Sequence, residues 1–119
     1  MEGGERRPML SGKIVHLKDT TARMDEDELV RQYFSTEKIT FGMSILQPGK
    51  IGGLDPGHAE ADEVFFCVQG HVLCYFPEDD YYYELEKGDA LLIPPKTGHK
   101  LFNVGDEVAV ITWSCAPHP

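Results

Sequence analysis

The stretch Gly52–Gly70 concentrates side chains that can do chemistry. It carries one histidine, His58, and several carboxylates, among them Glu60 and Glu63, in a loop rich in glycine and proline. Strand-forming apolar sequence begins directly afterwards, at Val64. Imidazole and carboxylate groups bind first-row divalent metals and also transfer protons. A loop of this kind, anchored on a rigid strand, indicates a metal site or a small-molecule pocket.

A second segment, Gly88–Asn103, carries another histidine in a similar setting. His99 follows the prolines at 94 and 95, which end a short strand-forming run. Two histidines and a carboxylate are a donor set found in open metal sites. If the strands close into a barrel, His99 would lie opposite His58 and Glu63, and the three side chains could share one divalent metal.

Charge and composition limit the classes of function. The 119 residues suit one domain, and 11 Lys plus Arg against 20 Asp plus Glu give a formal net charge of −9. An acidic surface repels phosphate backbones and anionic lipids, so we expect neither nucleic acid nor a membrane as a partner. The first residues lack the apolar core of a signal peptide, and no apolar run approaches the length of a membrane span. Three cysteines without a CxxC spacing, Cys67, Cys74 and Cys115, are typical of reduced thiols, which predicts a cytoplasmic protein.

The N-terminal part of the chain has mixed patterns. Residues 1–10 are polar and contain glycine and proline, which predicts a loose or partner-docked arm. Ile14–Leu17 would suit a short edge strand, and strand addition between two copies would then give a homodimer. Met24–Phe34 carries apolar residues at i,i+4 spacing, and Asp25 with Glu28 fits a capping box. We therefore predict one short helix there.

From Ile39 onward the pattern is that of short strands separated by glycine-containing turns. Ile39–Leu46 alternates, with Ile39, Phe41, Met43 and Ile45 on one face. Further strands are predicted over Glu63–Val68, Val72–Phe76, Tyr81–Leu85, Ala90–Ile93, Lys100–Val104 and Val108–Ser114. About eight short strands without βαβ alternation predict an all-β antiparallel sandwich or barrel. We divide the chain into residues 1–38, packed on the barrel, and 39–119, the barrel itself.

Two spaced patterns in the barrel region resemble the motifs of the cupin superfamily, whose fold is a double-stranded jelly roll. The family's first motif reads G-x5-H-x-H-x3 or x4-E-x6-G, and its second reads G-x5-P-x-G-x2-H-x3-N. The tail of the first motif is present as Glu63 and Gly70. The second motif is matched by Gly88, Pro94, His99 and Asn103, with Lys96 in place of its internal glycine. The resemblance covers residues 39–117.

The head of the first motif departs from the family pattern, and two alignments are open. Counting back from Glu63 makes His58 the second histidine and puts Pro56 at the first position. Counting forward from Gly52 makes His58 the first histidine and puts Glu60 at the second, but leaves one residue too few before Glu63. We prefer the first alignment. In either case the resemblance implies two histidines and one or two carboxylates, where the family has three histidines and a glutamate.

The resemblance implies a metal-dependent enzyme that holds one divalent transition metal ion, Zn, Fe, Mn, Ni or Co. Its ligands would be His58, Glu63 and His99. Glu60 is then the candidate catalytic residue, and Glu60 or Asp55 could supply a fourth ligand or an acid/base group. The substrate would be a small oxygen-rich organic molecule, and the reaction of isomerase, lyase, cyclase or dioxygenase type.

The same cavity supports an alternative of a different class. Alternation along the strand that starts at Glu63 would point Phe65 and Cys67 inward as pocket-lining residues. The missing histidine of the first motif leaves open a metal-free module that binds or senses a small ligand in this pocket.

Overall fold

Among the described residues, regular structure consists of nine strands in two antiparallel sheets and one 3-10 turn, and the predicted all-β jelly roll is confirmed. The structure is a computed structural model that describes residues 10–118. Its strands are β1 (Thr21–Asp25), β2 (Glu28–Ser35), β3 (Thr40–Leu46), β4 (Asp62–Gln69), β5 (His71–Phe76), β6 (Tyr81–Glu86), β7 (Ala90–Ile93), β8 (Lys100–Asn103) and β9 (Ala109–Ala116). The order β1-β2-β3-β9-β4-β7 makes a six-stranded sheet, and β6-β5-β8 makes a three-stranded sheet. Helical structure within this range is a single 3-10 turn, Leu17–Asp19, which is the short N-terminal helical element of the fold. None of the described residues belongs to a helix long and apolar enough to cross a membrane.

The helix predicted over Met24–Phe34 is wrong, because these residues form the antiparallel hairpin of β1 and β2. Glu26 takes a left-handed conformation, with φ of 54°, in the turn between them. The apolar positions alternate between the two faces of a sheet, and Val30 is buried inside. Asp25 and Glu28, which suggested a helix cap, instead line an interior cavity.

The edge strand predicted at Ile14–Leu17 is also wrong. Residues 14–16 make no strand pairing, and Leu17 begins the 3-10 turn, so the edge of the sheet is β1. β1 pairs with β2, and β2 pairs with β3, so residues on both sides of the boundary predicted after residue 38 belong to one sheet. Residues 1–9 of the predicted arm lie outside the described residues.

β3 shows which face the barrel buries. Thr40 and Ser44 point inward and are buried, whereas Phe41, Met43 and Ile45 point outward and are half-buried. These apolar side chains share one face, as their alternation predicted, but that face is the outer one. The interior accepts polar side chains at these positions because a cavity lies there.

The apolar core lies between the two sheets and draws on both. Its buried members are Leu46, Phe65, Cys67, Ile93, Ala109 and Ile111 from the larger sheet and Val72, Cys74, Phe76, Leu85 and Leu101 from the smaller one. Close packing of this kind fixes the backbones of β4 and β8. The side chains of Glu63, near the start of β4, and His99, just before β8, are therefore held on rigid supports.

Candidate metal centre

Asp55 and His99 are brought together by their main chains. The amide of Asp55 donates to the carbonyl of His99, and the amide of His99 donates to the carbonyl of Asp55, both at 2.9 Å. This isolated antiparallel bridge joins the long loop before β4 to the start of β8. Their side chains meet as a consequence, with Asp55 Oδ2 3.5 Å from His99 Nε2.

The loop that carries His58 docks on the segment just before His99. The amide of Lys96 donates to the carbonyl of His58 at 2.6 Å. Gly57 has φ of 93°, and a Cβ added there would lie 2.6 Å from the amide nitrogen of Thr97. Only glycine satisfies both the left-handed conformation and this close approach. The sequence therefore folds the loop so that His58 is delivered to the same cavity as His99.

Glu63 lies at the centre of the predicted ligands. Its backbone is paired with β7 on one side and β9 on the other, and the residue is 4% exposed. Its Oε1 lies 3.2 Å from His99 Nε2 and 3.4 Å from His58 Nε2. The three residues predicted as metal ligands thus meet around one carboxylate oxygen.

His99 has its ring orientation fixed by a backbone carbonyl. His99 Nδ1 lies 3.0 Å from the carbonyl oxygen of Thr97, which can only accept a hydrogen bond, so Nδ1 carries the proton. In the neutral ring, Nε2 then presents a lone pair toward Glu63 Oε1. Among the described residues neither of these buried atoms has a hydrogen-bond partner. Two facing acceptors of this kind call for a cation between them, either a proton or a metal ion.

The pKa of His99 is also consistent with a positive charge between the two atoms. Burial lowers the pKa of His99, but the nearby Glu63 carboxylate, the Thr97 carbonyl and the charge of Asp55 more than offset that effect. The net result is a raised pKa. The surroundings of His99 therefore stabilise a cation at Nε2.

Two groups of ligand atoms share Glu63. Asp55, Glu63 and His99 form one group, and His58, Glu63 and Cys115 form the other, with all atoms of a group within 4.8 Å of one another. Among residues 10–118, no group of this tightness contains both histidines. Nitrogen, oxygen and sulfur donors at such spacings suit a first-row divalent metal. The residues present therefore fit a metal ion, with Glu63 as the shared ligand.

Cys115 is a potential metal donor that the sequence analysis did not predict, since it treated all three cysteines as reduced thiols. Its Sγ lies 3.5 Å from His58 Nε2. Burial and the nearby charges of Glu63 and Asp55 raise the pKa of Cys115 to about 12. The thiol therefore stays protonated near neutral pH and is a poor nucleophile. Its place in the site is that of a potential metal donor.

The centre opens into a cavity of about 180 Å³, the volume of roughly six water molecules. Phe65 and Trp113 line it, and the Phe65 ring meets the ring of His99 edge-on at 5.3 Å between centroids. Further lining residues come from β1 and β2: Arg23, and, from the segment predicted as a helix, Asp25, Glu28, Val30 and Gln32. A small organic molecule would meet the ligand cluster and these side chains together.

Glu28 is a site residue that sequence reasoning missed. It points into the cavity and accepts a hydrogen bond from the hydroxyl of Ser44. Burial raises the pKa of Glu28, the bond from Ser44 lowers it, and the charge of Asp25 raises it, with a net increase. The signal that could have found it is the i,i+2 spacing of Glu28, Val30 and Gln32, which all face the cavity.

A family model for the cupin domain matches residues 42–115, more than half of the chain. The chain belongs to the cupin family. In this cupin the matched region runs from β3 to the end of β9 and includes all three predicted ligands.

Two glucose-6-phosphate isomerases are similar to this cupin in sequence. A glucose-6-phosphate isomerase from Thermococcus onnurineus is 27% identical over 82% of this cupin and 60% of that protein. Another, from Pyrococcus furiosus, is 30% identical over 69% of this cupin and 52% of that protein. The chain therefore spans about half the length of the isomerases it matches.

Solved structures share the fold of this cupin. KdgF from a Halomonas species superposes with a TM-score of 0.75 at 15% identity, covering 92% of this chain and 96% of that one. A predicted oxalate decarboxylase from Thermotoga maritima gives 0.74 at 16% identity, covering 88% and 99%. At such identities the likeness concerns the fold alone.

Some residues predicted for this site lie elsewhere. Glu60, the candidate catalytic residue, is exposed and is not among the residues that line the cavity; Asp55 occupies the position beside His99 instead. Cys67 points inward as predicted but is buried in the apolar core, with its Sγ near the carbonyls of Gln69 and Gly70. Phe65 does line the cavity. The predicted alternation is correct, but the cavity reaches only the first inward residues of β4.

Proposed function

We propose that this cupin is a metal-dependent enzyme that acts on a small oxygen-rich organic substrate. The observation that carries the proposal is the buried, unpartnered pair formed by His99 Nε2 and Glu63 Oε1 at the wall of the cavity. One divalent transition metal ion, Zn, Fe, Mn, Ni or Co, would be held by these two residues with Asp55 or His58. The reaction is of isomerase, lyase, cyclase or dioxygenase type.

When bound, such a metal ion would polarise a carbonyl or hydroxyl oxygen of the substrate. The residues of the chain have separate tasks. The Thr97 carbonyl holds the His99 ring in its orientation. Phe65 and Leu101 restrict water at the wall of the cavity, and Glu28 offers a carboxyl group to substrate oxygens on the β2 side.

The comparisons support the enzyme class at a coarse level. Two relatives that match most of this chain are glucose-6-phosphate isomerases. These relatives support only the view that a barrel of this family can be an enzyme. The three free, buried cysteines support a reducing, cytoplasmic location as part of the same proposal.

Metal analysis tests the proposal. The protein is purified without chelator, its metal content is measured, and the melting temperature of the apo-protein is recorded with each of the five ions. We expect near-stoichiometric metal and a higher melting temperature with at least one ion. His99→Ala should abolish both effects, whereas His16→Ala, which removes an exposed histidine outside the cavity and outside the groups of potential metal ligands, should change neither. Absence of metal and of any thermal shift in the wild-type protein would reject the function.

A metal-free binding module is the second candidate, and the raised pKa of His99 favours it. A proton shared by His99 and Glu63 would also satisfy the facing acceptors. In that case the wild-type protein never contains metal, and His99→Ala changes the affinity for a cavity ligand only modestly. The two candidates are therefore separated by the same variant.

A further inference from the structure

A second pair of carboxylates lines the cavity beyond the metal centre. Asp25 and Glu28 are directly opposite each other at the end of the β1–β2 hairpin, and both line the cavity. Neither belongs to the groups of potential metal ligands. Ser44 donates its hydroxyl to one oxygen of Glu28, which leaves the rest of that carboxyl group for other partners.

Gly52 and Gly53, which have no side chains, leave room for these two carboxyl groups. A Cβ added at Gly53 would collide with the carboxylate of Asp25, and one added at Gly52 would collide with Oε1 of Glu28. Any larger side chain at either glycine would displace a carboxylate. Asp25 and Glu28 thus occupy space that side chains at these two positions would need.

The charges that line the cavity are strongly unbalanced. Four carboxyl groups face it, from Asp25, Glu28, Asp55 and Glu63. Arg23 is the one Lys or Arg side chain among the described lining residues, and the two histidines of the metal centre are the other nitrogen bases there. A divalent metal held by Glu63 and Asp55 would neutralise those two. Asp25 and Glu28 would still oppose the single charge of Arg23. Low-dielectric walls strengthen such a field and disfavour an entering anion.

We propose that this cavity takes a neutral polyhydroxylated or a cationic molecule and excludes phosphorylated and carboxylate compounds, with Asp25 and Glu28 as the specificity-determining residues. Hydroxyl and ammonium groups donate hydrogen bonds, which these carboxyl groups accept. Trp113 lines the same cavity, and an indole ring can contact a cation or sugar C–H groups. The inference rests on the proposed function for placing the substrate in this cavity, and it separates this cupin from relatives named for a phosphorylated sugar.

The chain has a single tryptophan, Trp113, and its fluorescence can measure the electrostatic field of the cavity without a known substrate. Trp113 lines the cavity, so its fluorescence reports which small ions enter. Caesium and iodide quenching constants are measured at constant ionic strength and scaled to those of a free tryptophan amide. We expect the scaled constant for caesium to exceed that for iodide by about threefold or more. Equal or stronger quenching by iodide would overturn the proposal.

Matched charge variants show which carboxylates are responsible. D25N/E28Q removes the inner pair, and E78Q/D79N removes the same two charges from the exposed turn between β5 and β6. We expect the caesium preference to fall to near unity in D25N/E28Q and to persist in E78Q/D79N. An unchanged preference in D25N/E28Q would reject the two residues as determinants. Should that variant fail to fold, Arg23→Gln decides, because the caesium preference must rise when the opposing cation is removed.

A binding measurement tests exclusion directly. Fructose 6-phosphate is titrated into metal-loaded and metal-free protein while Trp113 fluorescence is followed. No saturable binding below about 1 mM is expected, and a tighter Kd in either form would overturn the proposal. Failure of the proposed function would be recognised separately, since it requires that no metal binds, whereas ion quenching of Trp113 needs no metal.

Discussion

His99 Nε2 and Glu63 Oε1 lie 3.2 Å apart inside the barrel, and among residues 10–118 neither atom has a hydrogen-bond partner. Because Nδ1 of the same ring is committed to the Thr97 carbonyl, the two atoms face each other as acceptors unless a cation lies between them. This relationship links the fold to the proposed chemistry. The hydrogen bond from His99 Nδ1 to the Thr97 carbonyl also orients His99 Nε2 to bind a metal ion.

The first prediction concerns Glu63. Glu63→Gln keeps the shape of the side chain but removes the negative charge shared by both groups of ligands. We expect metal affinity to fall by about 100-fold or more, as measured by calorimetric titration of the apo-protein. Glu78→Gln, which removes an exposed carboxylate from the turn between β5 and β6, is the matched control and should leave the affinity unchanged. Equal affinities in the two variants would remove Glu63 from the centre.

A second prediction decides between the two groups of ligands. Asp55 belongs to the group with His99, whose ring orientation is fixed, and Cys115 belongs to the group with His58. We expect Asp55→Asn to weaken metal binding by at least about 10-fold more than Cys115→Ser, because a pre-oriented donor set loses more when one member is removed. The reverse order would place the metal at His58 and Cys115.

Gly57 allows a third prediction with an internal control. Gly57 and Gly88 share a φ of 93°, but only at Gly57 does an added Cβ meet neighbouring backbone, that of Thr97. Gly88→Ala should cost about 1 kcal/mol of unfolding free energy from the left-handed conformation alone. Gly57→Ala should lower the free energy of unfolding, measured with denaturant, by clearly more than that. It should also weaken metal binding, because His58 and Asp55 move with the loop. Equal costs, with unchanged metal affinity, would show that the loop tolerates the side chain.

The sequence predicted the barrel better than it predicted the cavity. Strands after Ile39 were predictable because their alternation and glycine turns are local signals, and the second motif placed His99 correctly near a strand start. Met24–Phe34 failed because its apolar residues repeat at i,i+4, as in a helical stripe, whereas the segment pairs with β3 as a strand whose register shifts between Gln32 and Phe34. Asp55 was named only as an option, since its contact with His99 depends on a bridge between distant loops. Long-range pairing of this kind leaves no periodic trace in the sequence.

A fourth prediction follows from the raised pKa of Glu28. Burial makes the folded-state pKa higher than the ordinary value of 4.5, so folding favours the protonated form. The stabilising contribution is fully present below pH 4.5 and is lost as the pH rises through the raised folded value. Glu28→Gln, whose amide oxygen still accepts from Ser44, should therefore raise the melting temperature more at pH 8 than at pH 5. Glu78→Gln, at an exposed turn, should show no such pH dependence.

The last prediction concerns the outer face of the six-stranded sheet, defined here by Phe41, Met43, Val64, Phe66 and Leu92. Val64, Phe66 and Leu92 are 40%, 42% and 58% exposed on adjacent strands. The 40 residues of these six strands, at about 3.3 Å per residue and about 4.8 Å between strands, cover roughly 600 Å², close to the ~800 Å² that each partner buries in a standard interface. An exposed apolar sheet face of this kind would suit a second copy of the chain, since two sheets can pack face to face about a twofold axis. We therefore expect a homodimer through the outer face rather than through Ile14–Leu17, which is not a strand.

Light scattering after size exclusion tests this arrangement. Phe66→Glu places a charge at the middle of the outer face and should shift the protein from dimer to monomer at micromolar concentration, because an unpaired charge is costly in an apolar interface. Tyr81→Glu, on the exposed edge strand β6 of the other sheet, changes a comparable aromatic side chain and should leave the dimer intact. A wild-type monomer, or a dimer that persists in Phe66→Glu, would show that this face serves another purpose. Because the metal centre is built within one chain, its metal affinity should be the same in the Phe66→Glu monomer as in the dimer.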